Sequence, residues 1–268
     1  MKLKYFSAPY LVWMIVFILV PLLMIAYFAF FTDSGELTIK YVSDVGQYVN
    51  IFIRSIWLSL IATAICLVIA YPVAFFLSRM EKHKQGTMLM IVMLPMWMNF
   101  LLRTYSWMTI LGNNGIINHL CGLIGLGPFK LINTSGAVVL GMVYNYLPFM
   151  ILPLYSVMEK IDNSLFEAAE DLGCSSFQKL VKVTIPLSAP GITSGVTMVF
   201  VPAISTFIIS RMLGGGSNLL IGDLIEMQFL GNAYNPHLGA AISLVLMVII
   251  LVIMTIMNQF DPDDQVLM

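Results

Sequence analysis

Six long apolar runs, at residues 9–31, 54–78, 87–111, 135–157, 190–212 and 238–258, constrain this chain more than any other feature. Each is close to the ~20 residues a helix needs to cross ~30 Å of hydrocarbon. In lipid, only helices and closed barrels satisfy their own backbone hydrogen bonds. The runs are continuous and not alternating, so they read as helices. Composition agrees: 59% of the 268 residues are hydrophobic and 10% are charged, against about 25% charged in a soluble domain. The expected fold class is all-α and integral to the membrane, with six transmembrane helices in one domain over residues 1–268. The first run spans 23 residues and ends in Tyr27-Phe28-Ala29-Phe30-Phe31. It is longer than the ~7–15 residues of a signal-peptide core, so it reads as an uncleaved span.

Short-loop cations set the expected orientation. With the N-terminus inside, the inner side holds Lys2, Lys4, Arg79, Lys82, Lys84, Lys160, Lys179 and Lys182, and the outer side holds Lys40, Arg54, Lys130 and Arg211. Eight against four places both termini in the cytoplasm, with Asp261 to Met268 following the sixth span. The outer segment between spans three and four carries Asn113-Asn114-Gly115, a turn signal, and then a short interfacial helix from Ile116 to Leu126.

Several classes of function are excluded or disfavoured. A net charge of −1 gives no footprint for nucleic acid. Cys66, Cys121 and Cys174 are scattered, without metal-ligand spacing or an even count for disulfides. His83, His119 and His237 fall in loops and read as solvated. Gly214-Gly215-Gly216 is followed by Ser217-Asn218 and no lysine, so there is no phosphate-binding loop.

The one long inner loop, residues 159–190, parses as two short helices. Ser164 with Glu167 forms a capping-box pattern, and Ser175 with Gln178 forms a second. Gly173 stands where a first helix would stop in a left-handed residue, and Pro186 would end the second. Ala168 and Ala169 permit close approach, Glu167, Glu170 and Asp171 offer charge to a basic partner, and Leu165, Phe166 and Leu172 can fill a groove. By physics alone this is either a docking unit or an ordinary interfacial helix-turn-helix.

The spacing Glu167-Ala168-Ala169, three residues, Gly173, nine residues, then Val183, Ile185 and Pro186 resembles the E-A-A-x3-G-x9-I-x-L-P loop of importer permeases of the ABC family. The resemblance implies the type I importer (MetI-like) fold and an ATPase-coupling role for Glu167, Ala168, Ala169, Asp171, Leu172, Gly173, Ile185 and Pro186. Leu94 to Trp97, Leu102 to Trp107, Asn113 to Asn118, Tyr144 to Tyr155 and Leu213 to Ile225 further resemble spermidine/putrescine permeases of the PotB type. That implies a bacterial plasma-membrane importer containing this permease, a second PotC-like permease, two PotA-like ATP-binding subunits and an external PotD-like binding protein. ATP and Mg would sit on the ATPase; this chain would bind no cofactor and catalyse no reaction.

Candidate translocation-path residues are Trp97, Asn99, Tyr105, Tyr144, Asn145, Tyr146, Asp223 and Glu226. Aromatic faces and carboxylates suit a polycation. The competing readings are interfacial aromatic belts, interhelical hydrogen bonds for the two asparagines, and a solvated acidic loop for Asp223 and Glu226. Arg103 is expected to pair across helices. Thr206 stands where the polyamine group usually has glutamate, and Arg211 lies nearby; both leave other cargoes open, among them another amine, an organophosphonate and ferric iron. An unrelated class, a channel or scaffold without an ATPase, also remains.

Overall fold

A computed structural model describes residues 8–259 apart from 217 and 232. Lys2, Lys4 and the 261–268 tail lie outside the described residues. Helices account for the architecture, and among the described residues the only β pairing is an isolated Phe31–Leu37 bridge.

Helix α1 (Pro9–Phe30) is the first span. Two short turns, Lys40–Asp44 and Val45–Tyr48, lead into α2 (Val49–Ser78). Helix α3 (Lys82–Trp97) is followed by α4 (Phe100–Leu111) and α5 (Ile116–Leu123), then by α6 (Ser135–Met158). The 159–190 loop holds α7 (Asn163–Asp171) and α8 (Ser176–Leu187). Helices α9 (Ala189–Ser205), α10 (Ile208–Gly214), α11 (Ile221–Leu230) and α12 (Pro236–Asn258) complete the chain.

Among the described residues, four helices are long and apolar enough to span a membrane unbroken, and two bent pairs raise the total to six if each pair is one span. The sequence reading treated spans three and five as continuous, and both are broken. In span three the chain turns by 83° after α3. Asn99 is the cause: its side-chain oxygen accepts the N–H groups of Leu101 (2.8 Å) and Leu102 (3.3 Å), capping a new helix. In the fifth, α8 and α9 meet at 69°. Pro186 and Pro190 are four apart, so neither supplies the N–H that would bond one turn back. The expected stop at Pro186 moves to Ser188. Between Leu180 and Thr184 the helix widens into a π turn, closed by the Ile185 N–H on the Leu180 carbonyl. The helix of span five then ends at Ser205, seven residues before the apolar run does at 212.

The core has two centres. The first joins α2, α6 and α9. Ala62, Cys66, Ala70 and Ala74 lie one turn apart on α2 and are fully buried. Small side chains let helix backbones approach closely, the main source of packing energy where lipid removes the hydrophobic drive. The second centre joins α1, α11 and α12 through Ala29, Ile221, Leu224, Ala240, Ala241 and Ile242. Between them, Gly222 is locked against the break in span five: a Cβ there would stand 2.4 Å from the Ser205 carbonyl oxygen.

His237 corrects the expectation of a solvated loop histidine. It lies in the first turn of α12, is 6% exposed and stacks on Tyr41 at 5.0 Å. Its Nδ1 is 2.9 Å from the Phe28 carbonyl oxygen and its Nε2 is 3.0 Å from Asp33 Oδ1. The ring thereby ties the end of α1 to the start of α12.

Candidate functional site

The 159–190 loop is built from backbone rules. Asp162, in extended conformation, accepts the Ser164 N–H at 3.0 Å. Helix α7 therefore starts at Asn163, and the Ser164–Glu167 box is not formed: Ser164 already lies in the first turn. The hydrogen bond from Ser164 holds the Asp162 carboxyl below its ordinary pKa. The second box is present, with Gln178 N–H on Ser175 Oγ (3.3 Å) and Ser175 N–H on Gln178 Oε1 (2.9 Å).

The corner between α7 and α8 is a Schellman turn. Gly173 has φ +76°, its N–H reaches the Glu170 oxygen (2.8 Å), and the Cys174 N–H reaches the Ala169 oxygen (2.9 Å). A Lys179–Glu170 ion pair links the two helices.

One face of α7 is left open. Leu165 (45% exposed), Ala168 and Leu172 (84%) follow one another at three- and four-residue spacing, and Phe177 (73%) continues the patch onto α8. Glu167 and Asp171 are exposed beside it, as are Ile185 and Pro186. Ala169 is buried on the opposite face. Phe166, expected to fill a partner's groove, instead turns inward beneath the Arg79 guanidinium, 4.3 Å from its ring centroid.

Arg79 escaped the sequence reading, which counted it only as an inner charge. It caps α2 and donates to the carbonyl oxygens of Ile161 (3.2 Å) and Met158 (3.3 Å) and to Asn163 Oδ1. Burial lowers its pKa. A cation following one span, facing the C-terminal carbonyls of another, is the signal that marks it. Gln85 makes a second tie: it donates to the Ser78 (3.2 Å) and Met80 (3.0 Å) carbonyls and accepts from the Tyr155 hydroxyl (3.1 Å).

The eight path candidates occupy different environments. Trp97 and Tyr105 are exposed, 72% and 55%, on either side of the break in span three, and Asn99 is spent on its cap. Tyr144 is half-buried, edge-to-face with Trp107 at 5.4 Å. Asn145 is buried, with Nδ2 on the Gly141 carbonyl (2.8 Å) and Oδ1 unpartnered. The Tyr146 hydroxyl donates to the Pro202 carbonyl (3.3 Å). Asp223 is no solvated acid: it is 2% exposed and accepts the Leu220 N–H at 2.9 Å, and burial raises its pKa. Glu226 pairs through both oxygens with Arg211, which neutralises the cation that had favoured an anionic cargo. Arg103 does not pair across helices. It is 7% exposed, close to the Phe100 ring, and its Nε and Nη1 have no partner. No cluster of metal-binding side chains occurs among the described residues.

Residues 71–263 match the model of a family described as the binding-protein-dependent transport system inner membrane component. The chain belongs to that family. The permease is 41% identical, over 88% of its length and 86% of the relative's, to the spermidine/putrescine transport system permease protein PotB of Haemophilus influenzae. It is 37% identical to the protein of that name from Escherichia coli K12, over 88% and 90% of the two chains. Its fold matches a chain of a bacterial ABC transporter that imports the acidic polysaccharide alginate, with a TM-score of 0.77, 19% identity and coverage of 96% and 93%. The permease is thus an inner-membrane transport component with the ABC-importer fold.

Proposed function

We propose that this permease carries spermidine and putrescine into the cell as one membrane subunit of an ABC importer. The observation that carries this reading is identity of 37–41% over 88% of the chain with permeases of polyamine systems, joined to a Glu167–Pro186 motif in which Val183 and Ile185 stand for the pattern's Ile and Leu, with its left-handed corner at Gly173. The partners are a second PotC-like permease, two PotA-like ATPases that hold ATP and Mg, and an external PotD-like binding protein. The chain itself binds no cofactor and hydrolyses nothing.

In this reading the 159–190 loop faces the cytoplasm, and the termini lie on the same side. The apolar stripe of Leu165, Ala168 and Leu172, flanked by Glu167 and Asp171, seats in a cleft of the ATPase; Gly173, Ile185 and Pro186 fix its angle. ATP-driven closure of the ATPase pair moves the two coupling units together and turns the spans outward. Cargo passes because the two states differ in affinity. Aromatic faces at Trp97, Tyr105 and Tyr144 are the chain's main contribution to holding a flexible polycation. Asp223 and Glu226 are committed within the chain and serve to build the outer end.

The test is ATP hydrolysis by the purified four-component complex, stimulated in turn by binding protein with spermidine, putrescine or an organophosphonate. Stimulation by the two polyamines alone supports the assignment. Stimulation by the phosphonate alone overturns the cargo and leaves the machine intact.

A further inference from the structure

The coupling unit is not packed evenly on the spans. A cavity of about 590 Å³ separates α8 from α2, lined by Val68, Pro72 and Phe76 on one side and Lys179, Leu180 and Thr184 on the other. Across it the unit meets α2 at two places. At one edge the Tyr71 hydroxyl is 2.9 Å from Ser188 Oγ. At the other, the Arg79 guanidinium lies over Phe166 (4.3 Å) and Phe75 (5.8 Å) and holds the Asn163 side chain. The same guanidinium grips the last carbonyl of α6, at Met158, and the Ile161 carbonyl in the turn that follows.

We infer that Arg79 is the positioning residue through which displacement of the coupling helix reaches spans two and four together. This rests on the importer reading above. A push on α7 has a direct contact route to α2 and α6 at one place, because α8 stands off α2 across the cavity. It travels through the fork of Arg79, which joins the first turn of α7, the end of α2 and the end of α6 in one planar group. A planar guanidinium serves all three at fixed angles while stacking on a ring; a lysine ammonium does not. Pro72 lies between the two attachments and removes a backbone bond from α2, so the helix yields there when one attachment moves.

The test uses the reconstituted four-component complex with chains carrying Arg79→Gln, Arg79→Lys, Asn163→Ala and Phe166→Leu. Three quantities are read: co-purification of the ATPase, basal ATP hydrolysis, and spermidine taken up per ATP. Both Arg79 variants should retain the ATPase and its basal rate and lose about tenfold in uptake per ATP. Asn163→Ala and Phe166→Leu should each lose a few-fold, and Phe166→Leu should add nothing to Arg79→Gln. Uptake per ATP unchanged in Arg79→Gln, or full rescue by Arg79→Lys, overturns the assignment. If the Arg79 variants fail to assemble, the other two decide: wild-type uptake per ATP in both overturns it, and reduced uptake in either supports it. A wild-type complex that never holds an ATPase defeats the importer reading instead.

Discussion

At the scale of the residue, single backbone and capping choices shape the 159–190 loop. Gly173 has φ +76° and open space around its missing Cβ. Gly173→Val should therefore cost only the left-handed penalty of about 1–2 kcal/mol, spent at the corner. Uptake should fall while the thermal midpoint of the solubilised permease stays within a few degrees, and Gly173→Asn should be milder because asparagine tolerates that region. Differential scanning fluorimetry beside an uptake assay checks both. Asp162 is the second such residue. Its pKa is lowered by the Ser164 N–H, so its stabilisation is complete above the ordinary carboxylate pKa and is lost as pH falls through the lowered one. Hydrogen exchange at the Ser164 amide should accelerate over that acid range, and Asp162→Asn should remove the dependence.

Elements were legible where one periodicity or one residue type decides them. The six spans, the Gly173 corner, the Ser175–Gln178 box and the helix after Gly115 follow directly from hydropathy and cap chemistry. The breaks did not, because hydropathy scores side chains and the breaks are backbone events. Asn99 restarts a helix inside an apolar run, and Pro186 and Pro190 act as a pair. Asp162 displaced Ser164 because either can cap and tertiary contacts chose the earlier start. Arg79 and His237 were missed because their partners lie 79 or more residues away in sequence. Two glycines now make opposite predictions. Gly222→Ala places a Cβ 2.4 Å from the Ser205 oxygen and should destabilise by about 1–3 kcal/mol, since neither backbone can yield freely. Gly86→Ala, inside α3 with nothing within 4 Å, should stabilise by roughly 0.5–1 kcal/mol. Thermal unfolding in detergent should show the two midpoints moving apart.

At the scale of the molecule, the chain is a tight α2–α6–α9 centre with an outlying α1 and α12 pair and the α7–α8 unit set over a cavity. The loop's motif pointed to the importer-permease family, and the family match bears that out. The path candidates were the least legible part. Several polar residues that sequence offered as path are held by caps and ion pairs within this chain. The most direct measurement is ATP-driven uptake of labelled spermidine into proteoliposomes holding the full complex, with Leu172→Asp in the exposed stripe as the paired control. The account predicts uptake that needs both ATP and loaded binding protein and falls at least tenfold with Leu172→Asp. Spermidine flux that proceeds without ATP, or that ignores the charge placed at Leu172, would contradict it.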